Sequence, residues 1–250
     1  MSGVKWDMFT CKNTKSAEKP NEDLALYNEK AHIGMLLDGV SRDKENGMYP
    51  VPSPSAVATK LFADEIQRLG GHQIEIGLGE LEEIVIGANQ KVNEYNEQLQ
   101  HRFPAGTVGI VFSINGDLFH YAYIGDCYAT VIRGDSCRVF TECQTSNVMK
   151  HKREYISDEI RFDICNHVSH PCGYGVWDGN PGAMDFVKYG TIKINGGDVI
   201  FLYSDGLEKE VTVMNILDLA QKSLSALFTE CPETGNDDRT CLRLTLVEEE

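Results

Sequence analysis

The chain has 250 residues, 42% hydrophobic and 24% charged, an ordinary globular composition. Its 23 basic and 38 acidic residues give a formal net charge of −15, which argues against a nucleic-acid or anionic-membrane surface. No apolar run reaches the roughly 18 residues a membrane span needs, and no linker, repeat or low-complexity run divides the sequence, so one domain over residues 1–250 is expected.

The N-terminal stretch MSGVKWDMFTCKNTKS is polar and lacks the apolar core of a signal peptide, so a cytoplasmic location is expected. Eight scattered Cys fit reduced thiols better than a disulfide framework. Runs rich in β-branched, aliphatic and aromatic residues predict strands at 23–27 and 32–37. SPSAVATKLFADEIQRLGG then predicts a helix, with Ser53 or Ser55 as N-cap, Pro54 in the first turn and Gly70-Gly71 as the stop. Val57, Leu61, Ile66 and Leu69 give it an apolar face. A second helix is expected over roughly 79–100. Strands follow at 107–114, 118–124, 127–133 and 136–140. Asn115-Gly116 and Gly134-Asp135 are tight-turn signals, so 107–140 reads as an antiparallel meander. Residues 141–185 are poorly patterned and read as loops and short elements. Further strands are expected at 186–194, 199–203 and 241–247, with a third helical run through 211–228. Runs of strands with grouped helices indicate α+β layering, not a parallel βαβ fold.

The strand in DVIFLYSDGLEKEV, residues 198–211, runs straight into Asp205-Gly206. An isolated charge at the edge of an apolar core is costly unless something pairs with it. Asp-Gly alone is a turn by default. Yet Glu22-Asp23, Asp38-Gly39, Gly125-Asp126 and Asp237-Asp238 also sit at strand ends. Carboxylates clustered at one sheet edge repel one another, and a divalent cation removes that penalty. Hard oxygen ligands with few His favour Mg²⁺ or Mn²⁺ over Zn²⁺. Two such ions can share a bridging water and aim it at phosphorus.

NED (21–23), LLDGV (36–40), GTVGIVF (106–112), YIGDCYATVIR (123–133), LYSDGL (202–207) and DDRT (237–240), in this order, resemble the motifs of the metal-dependent protein phosphatases of type 2C. The resemblance covers about residues 20–247. It implies a β-sandwich of two antiparallel sheets flanked by pairs of helices, and a monomer that dephosphorylates phosphoserine and phosphothreonine in proteins with two core Mn²⁺ or Mg²⁺ ions and a weaker third. It implies that Asp38 bridges the core ions and that the Gly39 carbonyl binds one of them. Asp205 and Asp237 would hold the other, Glu22 and Asp23 would bind directly or through water, and Asp126 would serve the third ion. Asp38 and Asp205 are thereby the expected catalytic carboxylates.

The sequence departs from the family pattern at two places. Glu18 stands where many members carry a phosphate-gripping Arg, leaving Lys19 or Arg42 as the candidate phosphate ligand. A Lys point charge cannot make the bidentate contact of Arg. Val40 and Ser41 stand where DGHGG has His-Gly, so the family's candidate general acid is missing. These changes keep a second reading open: a catalytically weak or inactive relative that binds a phosphoprotein or a kinase. A phosphatase for small metabolites is a third.

Cys165–Cys172 packs two Cys and two His into eight residues, but the spacing is too compressed for the usual zinc pair-loop-pair arrangement. Cys127 has no adjacent His and reads as a small core residue, and GYGVWDGNPG reads as an irregular loop.

Overall fold

The computed structural model describes residues 3–13, 19–40, 50–100, 102–150, 157–228 and 237–248. Ten strands form two antiparallel sheets. The first runs β1 (Val4–Cys11), β10 (Arg239–Leu246), β9 (Val199–Tyr203), β6 (Tyr128–Arg133), β7 (Ser136–Val139). The second runs β2 (Leu24–Asn28), β3 (Ile33–Val40), β4 (Gly106–Asn115), β5 (Leu118–Ile124), β8 (Lys188–Lys193).

Strand β9 explains how the layers hold together. Its residues are buried on both faces, so it reads as a continuous apolar run. Ile200 and Leu202 join Leu242, Leu244, Ala129 and Val131 in the core between the sheets. Val199, Phe201 and Tyr203 point the other way, into a second cluster under the helices. Each such aliphatic side chain contributes about 1.5–3 kcal/mol on burial.

Helices α1 (Pro54–Gly70) and α2 (Leu78–Asn96) cover the second sheet, α1 over β3 and β4 and α2 over β4 and β5. Ser53 caps α1, accepting from the Ala56 N–H, with Pro54 in the first turn. The other flank is not one helical run. Residues 211–228 fall into α5 (Glu208–Val213), α6 (Ile216–Gln221) and α7 (Leu224–Leu227). Met214 and Lys222 adopt extended backbone there, and Asn215 starts a new helix by accepting from the Leu217 N–H.

The meander is also corrected. β4 pairs with β5 and β6 with β7, but β5 and β6 belong to different sheets. The chain crosses between sheets at Gly125-Asp126. Gly125 has φ +87°, and a Cβ there would meet Val108 Cβ at 2.5 Å, so the crossing needs glycine. Strand β1 was not expected from the sequence. Among the described residues Cys127, Cys137, Cys143, Cys165, Cys172 and Cys241 are not in disulfides, and Cys11 is disulfide-bonded.

Within 141–185 lie α3 (Ser146–Lys150), α4 (Asp158–Ile164) and a 3₁₀ turn at Pro181–Asp185. The stretch around Trp177 is anchored. Trp177 is fully buried, stacks on Phe62 of α1 at 4.6 Å between centroids, and its backbone pairs with Thr107. Among the described residues, no helix is long and apolar enough to cross a membrane.

Candidate active site

Strand register delivers the acidic residues to one end of the sandwich. Leu24 pairs with Leu37, so Asp23 and Asp38 lie side by side just beyond. Leu37 and Ile124 both face Gly109 of β4, which brings Asp126 to the same end. In the other sheet Cys241 pairs with Tyr203, which sets Asp205 beside Asp237 and Asp238. Ser204 Oγ then joins the sheets by donating to Asp23 Oδ2 at 2.8 Å. Gly206 permits the closest approach: a Cβ there would sit 2.0 Å from the Asp238 carbonyl oxygen.

The electrostatics of this end are those of crowded carboxylates. Burial, then the charges of Asp23, Asp205, Asp237 and Asp126, push the Asp38 carboxyl well above its ordinary value. Asp205 is pushed up to about 8 by burial and by Asp126, Asp237, Asp23 and Glu208. Asp23 is pushed up to about 7 by burial, with the Ser204 and Thr240 hydroxyls opposing and Asp238 and Asp237 adding. Burial raises Asp126, against a hydrogen bond from Thr145. Asp237 lies at the exposed mouth and is still raised by the desolvation its neighbours impose, with Lys19 opposing.

Two carboxylate oxygens in this group, Asp23 Oδ1 and Asp205 Oδ1, are buried without a hydrogen-bond partner. Such acceptors are costly unless a cation or donor meets them. Among the described residues, no three His, Cys, Asp or Glu side chains close into a ready coordination shell. The fit to a metal therefore rests on the converging charges and the two bare oxygens, a hard-oxygen donor set of the kind Mg²⁺ and Mn²⁺ take. The Asp38 backbone is fixed by Thr107, whose hydroxyl donates to the Asp38 carbonyl at 2.8 Å, and Gly39 faces Thr107 in the β3–β4 register.

Glu22 is buried at the side of the cluster: Oε2 pairs with Lys19 Nζ at 2.9 Å, Oε1 accepts from Ser53 Oγ, and its charge helps to raise Asp237. The Lys19 ammonium is buried and pairs with Glu22, with the charges of Asp238 and Asp237 also near, so its desolvation cost is offset by opposite charge. Arg42, Glu18 and Ser41 lie outside the described residues. Of the tandem Asp237-Asp238, Asp238 is the structural member. It is buried, accepting from Asn13 N and Nδ2 on Oδ1 and from Glu22 N on Oδ2. Asp237 is exposed beside it, and its charge adds to those that raise Asp38 and Asp205. Val40 packs its apolar side chain against the core.

The other motifs are accounted for structurally. In the Cys165–Cys172 segment, His167 is exposed, His170 Nδ1 accepts from the Cys172 N–H, and Cys165 is buried near Asp178. Cys127 is buried and its thiol is pushed well above the ordinary value by burial and nearby carboxylates, as suits a core residue. Ser204, Thr107 and Thr145 touch the cluster and were not singled out from the sequence. Ser204 alone had a signal, its place immediately before Asp205-Gly206.

A two-sheet sandwich with helices outside and carboxylates at one end has the architecture of the PPM-type Ser/Thr phosphatases. No protein-family model matches the sequence, and no curated protein matches it. Solved structures do match. The serine/threonine phosphatase PstP of Mycobacterium tuberculosis superposes with a TM-score of 0.70 at 17% identity, over 98% of this chain and 99% of that one. The PstP catalytic domain in complex with two manganese ions gives 0.69 at 16% identity, over 98% and 99%. A bacterial serine phosphatase gives 0.72 at 17% identity, over 99% of both chains. At these identities the likeness shows the fold.

Proposed function

We propose that this chain is a Mn²⁺- or Mg²⁺-dependent phosphatase of phosphoserine and phosphothreonine in proteins. The observation that carries the reading is the pair of buried, unpartnered oxygens, Asp23 Oδ1 and Asp205 Oδ1, among five mutually repelling aspartates. Asp38 would sit between two core ions, with the Gly39 carbonyl on one and Asp205 and Asp237 on the other. Asp23 would take part directly, and Asp126 would hold a third, weaker ion. Bound there, divalent cations would neutralise the cluster and supply Lewis acidity toward a phosphate ester. The protein's own work is orientation. Ser204 turns Asp23 by a hydrogen bond, and Thr107 holds the Asp38 backbone. Glu22 acts as a support, clamped by Lys19 and Ser53. The partner is a phosphoprotein, whose phosphate a Ser/Thr kinase supplies.

A specific observation also favours the non-catalytic reading: Val40, whose apolar side chain packs against the core, offers no proton to a leaving group, and Lys19 is buried in an ion pair with Glu22. Phosphate release from a phosphothreonine peptide separates the two. Chelated protein should be inactive, Mn²⁺ should restore release, and Asp205→Asn should lower it by more than about 100-fold. A folded, metal-loaded protein that releases no phosphate would favour the binding role.

A further inference from the structure

Residues 140–145 form a strap across the crossing that carries Asp126. Phe140 N–H donates to the Ala129 carbonyl at 2.9 Å, and Thr141 Oγ1 accepts from Ala129 N–H at 2.9 Å. Glu142 N–H donates to the Tyr123 hydroxyl at 3.1 Å. Gln144 clamps Gly125 from both sides: its N–H donates to the Gly125 carbonyl, and its Oε1 accepts from Gly125 N–H, each at 3.0 Å. Its Nε2 reaches on to the Phe186 carbonyl at 2.8 Å. The strap ends on Thr145, whose hydroxyl donates to Asp126 Oδ2 at 3.0 Å. Cys143 Sγ lies 3.3 Å from Thr145 Oγ1. With the threonine proton on the carboxylate, the thiol is the donor in that contact, so a one-way chain runs from Cys143 through Thr145 to Asp126.

We propose that Thr145, backed by the Gln144 clamp, is the positioning residue for Asp126. It holds one carboxylate oxygen so that the other stays turned toward the cluster, and thereby sets the affinity of the weakest cation. Partners of this kind, one step from a metal, are worth about 10–100-fold in affinity. The inference rests on the metal-dependent reading of the site. Nothing in a loop or turn role requires it, because the Gln144 backbone bond already fixes the crossing.

The test is Mn²⁺ titration of the purified chain by calorimetry and by the EPR signal of unbound Mn²⁺. Wild type, Thr145→Val and Thr145→Ser are compared, with melting temperature recorded for each. Thr145→Val should weaken the last ion by about tenfold and leave the tighter ions unchanged, and Thr145→Ser should restore it. A Thr145→Val protein with an unchanged weak site would overturn the positioning role while leaving the metal reading intact. Loss of all ions together, with a lowered melting temperature, would overturn it in favour of a purely structural strap. Wild-type protein that binds no Mn²⁺ would overturn the metal reading and this inference with it.

Discussion

At the level of single residues, the site depends on which hydrogen-bond directions are forced. Asn21 Nδ2 can only donate, and it donates to Thr10 Oγ1 at 2.6 Å. Thr10 lies 2.8 Å from Thr240 Oγ1, and the Asn21 amide oxygen accepts from the Asp23 N–H at 3.0 Å. Having accepted from Asn21, the Thr10 hydroxyl can pass its own proton on to Thr240. Ser204 donates to the Asp23 carboxylate. Its Oγ also accepts from Thr240 N–H at 3.0 Å, so the hydroxyl is fully used and buried. Ser204→Ala strands both an acceptor on Asp23 and the Thr240 N–H. It should destabilise the metal-free protein by about 1–3 kcal/mol, read by urea denaturation. An unchanged midpoint would mean that water replaces the hydroxyl. Such forced chains are invisible in sequence. NED and LYSDGL mark where Asp23 and Asp205 are, while Thr10, 13 positions from Asp23, carries no pattern of its own. The pairing of Lys19 with Glu22 is equally hidden, because an exposed cation and a buried one are written with the same letter.

At the level of elements, legibility followed how many faces an element buries. β3, β4 and β9 sit inside their sheets, bury nearly every residue, and stood out as apolar runs with the site residues at their ends. β1 did not. It is an edge strand whose Val4 packs with the inter-sheet core and whose Phe9 packs under the helices, so neither face accumulates a period-2 run. The crossing at Gly125 was likewise missed, because a strand–turn–strand pattern does not say whether both strands join one sheet. The anchored loop around Trp177 was opaque for a third reason: its order comes from α1, far away in sequence. Phe62 and Trp177 are both fully buried and stacked. Phe62→Ala should cost about 3–5 kcal/mol and should also loosen the loop. Trp177 emission should then shift red, and amide exchange at Thr107 should quicken, since Thr107 and Trp177 share backbone hydrogen bonds. Destabilisation with no change at Trp177 or Thr107 would show that the loop stands without α1.

At the level of the whole molecule, the acidic end sets how stability responds to pH and metal. Asp23 and Asp205 in the metal-free fold lie at about 7 and about 8, each raised from 3.8, and Asp38 and Asp126 are raised as well. Between pH 4 and 8 the folded chain therefore holds more protons than the unfolded one, and stability must fall as pH rises through that window. Metal-free protein should lose melting temperature from pH 5 to pH 8. The formal charge of −15 adds self-repulsion in the same direction, so the slope alone does not assign the effect. Asp205→Asn separates them. It changes the net charge by one but removes the carboxylate with the about 8 value, so its metal-free slope should be visibly flatter than wild type. Mn²⁺ should act in the opposite sense. Ion binding competes with protons, so the thermal shift from Mn²⁺ should be larger at pH 8 than at pH 5, and about 2.7 kcal/mol per site at a hundredfold excess over Kd. Asp205→Asn should lose most of that shift while being the more stable protein when chelated at pH 8. A chelated wild type that gains stability toward pH 8, or an equal Mn²⁺ shift at both pH values, would mean that these carboxylates do not convene in solution as they do here.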